Sequence, residues 1–503
     1  MILILFVFTS IKTIATDLNI SNNYRSDVFI DKERINRVKA TAKHIHRMYK
    51  EFVEDKNIPG LAYGVVLDGQ LIYANGIGLA NIEQNISANP QTLFRTASLS
   101  KNFTAIAIFQ LRDADKLSLD DPISRYLPAM KNVKYLTNDS PKITIRHLLN
   151  HRAGLPKDGA WADVKMADTN QQLQKLINAG ISLAYVPGTF NQYSGLGYAL
   201  LGRVVETISE MPFSQYSQQH ILQPLGMQRS VWEYSNANSK QLAIGYKQRN
   251  NQHKPLPFVH HGSFGAIGGL ISSVEDFSLF AKLHLDAWPE RNTADNSILK
   301  RSSLREMHVP GPITDISTTG ACPSVKAYQY GLGWHQTCDG IPYFYHHGGL
   351  PGFSANWTMS PQHGLAIISF SNRSGAFRVN DAPFKYIIEK AKLSYRQQHT
   401  PTLLTNFQQT LYKILTNKAQ QTPMDEIFAE NLMTKGNLEM LLTSVKKNIA
   451  KAGSIIKIHE LTLINQLAGR FIIEGELNNI EVYFMLTPEH MPLIHSLKAK
   501  VLK

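Results

Sequence analysis

The sequence predicts an α+β fold: an antiparallel sheet flanked by helices plus a mostly helical subdomain, followed by a small α+β C-terminal module. Three observations predict it. A hairpin signal lies early, at 61–74; a stretch from about 98 to 300 is mainly helical in spacing; strand signals return between 328 and 371, ahead of a last helix. A sheet assembled from both ends of one large domain accounts for all three. In order, Arg34–Glu54 carries apolar residues at helical spacing (Ile35, Val38, Ala42, Ile45, Met48, Phe52) and stops before Pro59-Gly60. Leu61–Leu67 and Gln70–Ala74 flank Asp68-Gly69, a pair that supplies the positive φ angles of a tight turn. Breaks such as Pro187-Gly188 divide the helical region. Strands are expected at Tyr328–His335, Pro342–His346, Phe353–Met359 and Leu365–Ser371, then a helix at Asp381–Leu393. The polar run 396–406 reads as a linker. Helical stretches at 407–417 and 424–450 and strands at 455–464, 469–476 and 479–486 make 407–503 a separate accessory module.

The chain has 503 residues, 43% hydrophobic and 18% charged, enough to bury a sizeable core in more than one domain. This balance excludes a disordered chain. Two cysteines exclude a disulfide scaffold and a four-cysteine zinc site. No internal run reaches the roughly 20 apolar residues of a membrane span. The net charge of +13 comes from scattered basic residues. A solvated basic surface, compatible with an anionic cell envelope, fits this better than a nucleic-acid partner. Ile2–Phe8 is a short apolar stretch without a basic region before it, so 1–16 is either a signal or an uncleaved anchor, and 17–33 a tether. Export to the periplasm or envelope, with peripheral or N-terminal anchoring, is the expectation.

The first chemical candidate is Ser98-Leu99-Ser100-Lys101. At a helix start, Ser at i and Lys at i+3 share a face, so the amine reaches the serine oxygen and can shuttle its proton. The helix start also offers a backbone N–H to an oxyanion. Taken alone, this spacing equally describes an N-cap serine with a solvated lysine, and it recurs at Ser297/Lys300, Ser444/Lys447 and Ser454/Lys457. What sets Ser98 apart is the following Phe103–Phe109, apolar on nearly all sides, which marks a buried helix. The second candidate is Tyr193-Ser194, in a Gly-rich loop ahead of an apolar helix. A phenol beside a lysine ammonium is expected to titrate lower and act as a base; otherwise Tyr193 is a core tyrosine at a helix start. The third is His346-His347-Gly348-Gly349-Leu350, where glycines let a strand edge approach a ligand, or merely form a turn beside a surface histidine.

Taken in this order, with Tyr-Ser about 95 residues after Ser-x-x-Lys and His-Gly-Gly about 150 further, the three segments resemble the serine β-lactamase and penicillin-binding-protein superfamily. The likeness is to its class C-like branch of β-lactamases, D-alanyl-D-alanine carboxypeptidases and esterases. Supporting segments run from Pro59-Gly-Leu-Ala-Tyr-Gly-Val through Ile143-Thr-Ile-Arg-His-Leu-Leu-Asn-His-Arg-Ala-Gly-Leu155 to Gly268-Gly-Leu-Ile-Ser-Ser. The resemblance covers about 34–395. It implies Ser98 as the acylated nucleophile, Lys101 and Tyr193 as proton-transfer partners and His347 at the third motif. It further implies Gly348 and Gly349 against the substrate, and the N–H groups of Ser98 and Leu350 as the oxyanion hole. No cofactor is implied. Gly195 stands where the pattern Tyr-x-Asn has its amide, and His347 where many relatives have lysine. Both departures point away from efficient β-lactam hydrolysis and toward a peptidase or esterase, with a small-molecule, peptide or ester substrate and peptidoglycan among the candidates. A non-catalytic sensor or scaffold of the same fold is the alternative.

Competing sites are weaker. His147 and His151 have the i, i+4 spacing of zinc proteases, but Leu-Leu-Asn between them supplies no acid, so no metal is expected. No Gly-x-Ser-x-Gly elbow is present. Cys322 and Cys338 are either bridged, if the compartment is oxidising, or two buried thiols.

Overall fold

The computed structural model describes residues 24–250, 252–295, 298–318, 323–338, 341–418 and 423–502. The expected signal or anchor, and the tether up to residue 23, lie outside them. The chain falls into two units: Asp31–Tyr395, and Arg396–Lys503 together with the described residues before Asp31.

The larger unit begins with α1 (Arg34–Asp55), then β1 (Gly60–Leu67) and β2 (Gln70–Asn81). Asp68 and Gly69 take φ of 52° and 75° in the turn between them, as a tight hairpin requires. The short strands β3 (Ile86–Ser87) and β4 (Phe94–Arg95) precede the helical region, which contains α2 (Ser100–Asp113), α3 (Ile145–Leu149), α4 (Gly159–Val164), α5 (Gly195–Ser209) and α6 (Val274–Asp286). Two small pairings interrupt it: β5 (Tyr246–Arg249) with β6 (Gln252–Pro255), and β4 with β7 (Ile271–Ser272). The chain then adds β8 (Ile313–Ser317), β9 (Ser324–Gln329), β10 (Leu332–Thr337), β11 (Tyr343–Leu350), β12 (Phe353–Ser360), β13 (Leu365–Ser371) and α7 (Asp381–Lys390).

The main sheet runs β3-β2-β1-β13-β12-β11-β10-β9-β8, antiparallel throughout. Its closure is β1 against β13, Leu61 opposite Ser371 through Leu67 opposite Leu365. Both faces are covered, so β1, β12 and β13 are buried at every position. Alternation sorts their residues. Leu61, Tyr63, Val65 and Ile367 pack with Val38, Ile45 and Tyr49 of α1 and Phe384 and Ile387 of α7. Ala62, Val66, Phe370 and Trp357 pack with Phe103 of α2 and Phe277 and Phe280 of α6. Helix α2 is apolar nearly all round because it is buried nearly all round, from Phe103 to Phe109. Each such phenylalanine or isoleucine contributes about 1.5–3 kcal/mol.

Part of the strand reading of this unit needed correction. The single strand expected at Tyr328–His335 is a hairpin, β9–β10, because Tyr330 and Gly331 turn at φ of 49° and 86°. The edge strand β8 was not foreseen; its side chains are mostly exposed and carry no core pattern. Cys338, just after β10, is disulfide-bonded; Cys322 lies outside the described residues.

The smaller unit carries α8 (Thr402–Leu415), α9 (Asn437–Ala450) and a sheet of β14 (Ile455–Ile458), β15 (Thr462–Asn465), β16 (Ala468–Gly475), β17 (Ile480–Leu486) and β18 (Ile494–Val501). Helix α8 starts inside the polar run expected to be a linker, since Pro401 initiates it and Leu404 and Leu411 are buried. The strand expected over 455–464 is two strands, both pairing β16. Its core joins Leu404 and Leu411 to Phe471, Ile473, Val482 and Phe484. Among the described residues of either unit, no helix is long and apolar enough to cross a membrane.

Candidate active site

Ser98 is delivered by a braced, strained turn. Pairing of β4 with β7 fixes Arg95 opposite Ile271. The Thr96 N–H and hydroxyl both donate to the Leu270 carbonyl, at 2.9 and 3.0 Å. Ala97 then adopts φ of 52°, a left-handed conformation that costs an L-residue roughly 1–2 kcal/mol. The result is a half-buried Ser98 at the mouth of α2, with Leu99 and Ser100 fully buried beside it.

Lys101 lies one helical turn on and is only 2% exposed. Its Nζ donates to Ser98 Oγ at 3.1 Å and to the Ile267 carbonyl at 2.9 Å. The same segment receives Thr104 Oγ1 on the Ala266 carbonyl at 2.7 Å and sends the Leu270 N–H to Ser100 Oγ at 3.0 Å. Residues 266–270 therefore act as a rail that fixes the register of α2 and aims the lysine. Tyr193, half-buried ahead of α5, has its ring centre 5.1 Å from Lys101 Nζ. Ser98, Lys101 and Tyr193 thus meet at one point.

The third motif is shifted by one residue from the sequence expectation. On β11, Phe344, His346, Gly348 and Leu350 face the helical side; Tyr345, His347 and Gly349 face the other, because successive side chains in a strand alternate. His346, 4% exposed, has its ring 6.4 Å from Tyr193 and its Nε2 3.3 Å from the Tyr328 hydroxyl. Burial first, and the Lys101 charge second, push its imidazole down to about 3, so it is neutral at physiological pH. His347 instead bonds through Nδ1 to Asn356 Oδ1 at 2.9 Å and packs against Tyr345 and Phe377. The two glycines also differ from their expected use. A Cβ on Gly348 would lie 2.2 Å from the Thr96 carbonyl oxygen, so its close approach is to the turn that presents Ser98. A Cβ on Gly349 would lie 2.6 Å from the Phe377 ring. Leu350 ends β11, buried.

Three residues escaped sequence reasoning. Asp158 is buried and accepts from the Ser194 hydroxyl at 2.8 Å and from the N–H groups of Gly195 and Leu196 at 2.6 and 2.7 Å. It anchors the helix that follows Tyr193. Gly195 has no spare volume: a Cβ there would lie 2.9 Å from Ala162 Cβ and 3.2 Å from Ile267 Cδ1. Helix α4 has filled the space into which an amide would project. Asp163, on that helix, titrates above the usual carboxylate range through burial, opposed by the Lys101 charge. Arg95 is 5% exposed, and among the described residues nothing pairs its Nε and Nη2; burial lowers it to about 10. No motif marks any of the three. His147, considered for a metal, is used in a cap: its Nδ1 accepts the Thr144 N–H at 3.3 Å.

Several known proteins are similar to this chain. The curated protein flp of Staphylococcus aureus strain MW2 is 26% identical over 341 residues, 67% of this chain and 64% of that protein. An unguisins hydrolase of Aspergillus campestris is 26% identical over 339 residues, 64% of this chain and 60% of its own length. The chain therefore spans somewhat less than two thirds of these relatives. Among solved structures, a penicillin-binding protein from Bacillus halodurans superposes with a TM-score of 0.54 at 26% identity, covering 68% of this chain and 99% of that one. An octameric penicillin-binding protein homologue from Pyrococcus abyssi gives 0.57 at 19% identity, covering 91% and 99%. The beta-lactamase family profile matches residues 45–391, which include every residue of the cluster around Ser98, and the chain belongs to that family.

Proposed function

We propose that the larger unit is a serine hydrolase acting through an acyl-enzyme. The observation that carries the reading is the buried Lys101 amine, held on the Ile267 carbonyl and 3.1 Å from Ser98 Oγ. Ser98 Oγ would attack an ester or amide carbonyl while its proton passes to the Lys101–Tyr193 pair. The N–H of Ser98 and an N–H from the Gly348–Leu350 strand end would hold the oxyanion; losing one such donor typically costs about 100–1,000-fold. The same pair would return the proton to the leaving group, and water would then release the acid.

Two features favour a peptidase or esterase over an efficient β-lactamase. The Gly195 position is closed by α4, so no side-chain amide reaches a substrate acylamino group there. Neutral His346 contributes no fixed positive charge toward a substrate carboxylate. The test is intact mass after a fluorophosphonate probe, followed by turnover of a p-nitrophenyl ester, a peptide amide and a penicillin. One adduct, lost in Ser98→Ala, with ester or peptide turned over faster than penicillin, is the expected result. Folded protein that takes no adduct overturns the hydrolase and leaves a binding or scaffold protein.

A further inference from the structure

His151 follows α3 in a left-handed conformation, φ 53°, and is 3% exposed. Its backbone carbonyl accepts the Gln192 N–H at 2.8 Å. Its ring Nδ1 accepts the Ser194 N–H at 3.2 Å. The residue between those two donors is Tyr193, whose ring centre lies 4.2 Å from that of His151. One histidine thus grips the chain on both sides of Tyr193 and packs on its ring. The flanking residues extend the grip: the Asn150 carbonyl accepts Asn191 Nδ2 and the Arg152 carbonyl accepts the Gly188 N–H, both at 2.8 Å. The Tyr193 hydroxyl has no hydrogen-bond partner among the described residues, so packing and this bracket define where the phenol stands.

The Ser194 bond also fixes the tautomer. An N–H must meet a lone pair, so Nδ1 is unprotonated and the neutral ring carries its proton on Nε2. That Nε2 is buried without a partner among the described residues, in a nest of aromatic rings from Tyr193, Tyr198 and Tyr328. Burial first, and then the Lys101 charge, keep the ring neutral.

We infer that His151 is the positioning residue for Tyr193: its carbonyl and Nδ1 clamp the backbone before and after the tyrosine, and its ring sets the phenol against Lys101. The inference rests on the reading of Tyr193 as a proton-transfer group, and misplacing such a group by about 1 Å costs on the order of 100-fold.

The test compares His151→Ala with His151→Asn, which keeps an acceptor near Nδ1 and tolerates positive φ. The kcat for a p-nitrophenyl ester should fall about 100-fold in the alanine variant with KM little changed, and recover in part in the asparagine variant. The double variant with Tyr193→Phe should be no slower than Tyr193→Phe alone, since His151 acts through that phenol. Losses that multiply, or wild-type kcat in either His151 variant, overturn the inference. Should the alanine variant not fold, the asparagine variant decides by the same criteria. Amide exchange needs no activity. Ser194 exchanging faster in the alanine variant and slowly again in the asparagine variant supports the clamp even if Ser98 takes no probe. Unchanged Ser194 exchange in the alanine variant sinks the clamp whatever Ser98 does.

Discussion

Ser98 ahead of α2 and Ser194 ahead of α5 are serines at two helix starts of the larger unit, with opposite surroundings. Ser194 is a conventional cap. It accepts the Gly197 N–H, donates to Asp158, and shares that carboxylate with the next two backbone N–H groups. Every orphan donor in the first turn has an acceptor nearby, and nothing is left to act on a substrate. Ser98 sits on a turn with no side-chain cap, preceded by Ala97 at positive φ, and its polar neighbour is an amine rather than a carboxylate. A carboxylate behind a helix start neutralises its orphan N–H groups; a buried lysine leaves them free and adds a proton carrier. The sign of the group behind the serine separates a structural cap from a site.

Substitution of those partners sharpens the contrast. Lys101→Met removes the amine while keeping an apolar stem of similar length, and labelling of Ser98 should slow by about 100–10,000-fold with little change in the thermal midpoint. Near-normal labelling would erase the distinction between the two helix starts. Asp158→Ala strands one hydroxyl and two N–H groups in a buried place. At about 1–3 kcal/mol for each unsatisfied group, urea unfolding should show at least about 3 kcal/mol lost. A loss well below that would mean water reaches the start of α5. Ser194→Ala is the mildest. Gly195 and Leu196 keep Asp158, so the cost is about 1 kcal/mol, and the labelling rate should not change. A large drop in labelling would make Ser194 part of the chemistry.

Much of this could be read from residue order, for identifiable reasons. Asp68-Gly69 states its turn, the all-apolar run after Phe103 states burial on every side, and the spacing of Ser98 and Lys101 states one helical face. Strand phase is different. In His346-His347-Gly348-Gly349 both histidines and both glycines are adjacent, so a frame shift of one residue leaves the pattern intact while exchanging the faces. Only the register of β11 on β12, with Phe344 and Trp357 on the helical side, shows that His346 looks toward Tyr193. Asp158 and Asp163 were illegible because their roles are set by where α4 docks, a tertiary fact with no local pattern. The turn at Tyr330-Gly331 reads as strand because aromatic and apolar residues surround it.

The pairing of β1 with β13 has a consequence in time. Some 300 residues separate Leu67 from Leu365, and a ribosome adding about 5–20 residues per second needs roughly 15–60 s to cross that gap. Throughout that interval the β1–β2 hairpin offers an unpaired edge on a strand whose every side chain is destined for the interior. The nascent chain must therefore be shielded from its neighbours until its last large segment arrives. Any product that ends before β13 leaves the central ladder half made, so a truncation there removes the fold along with the missing residues.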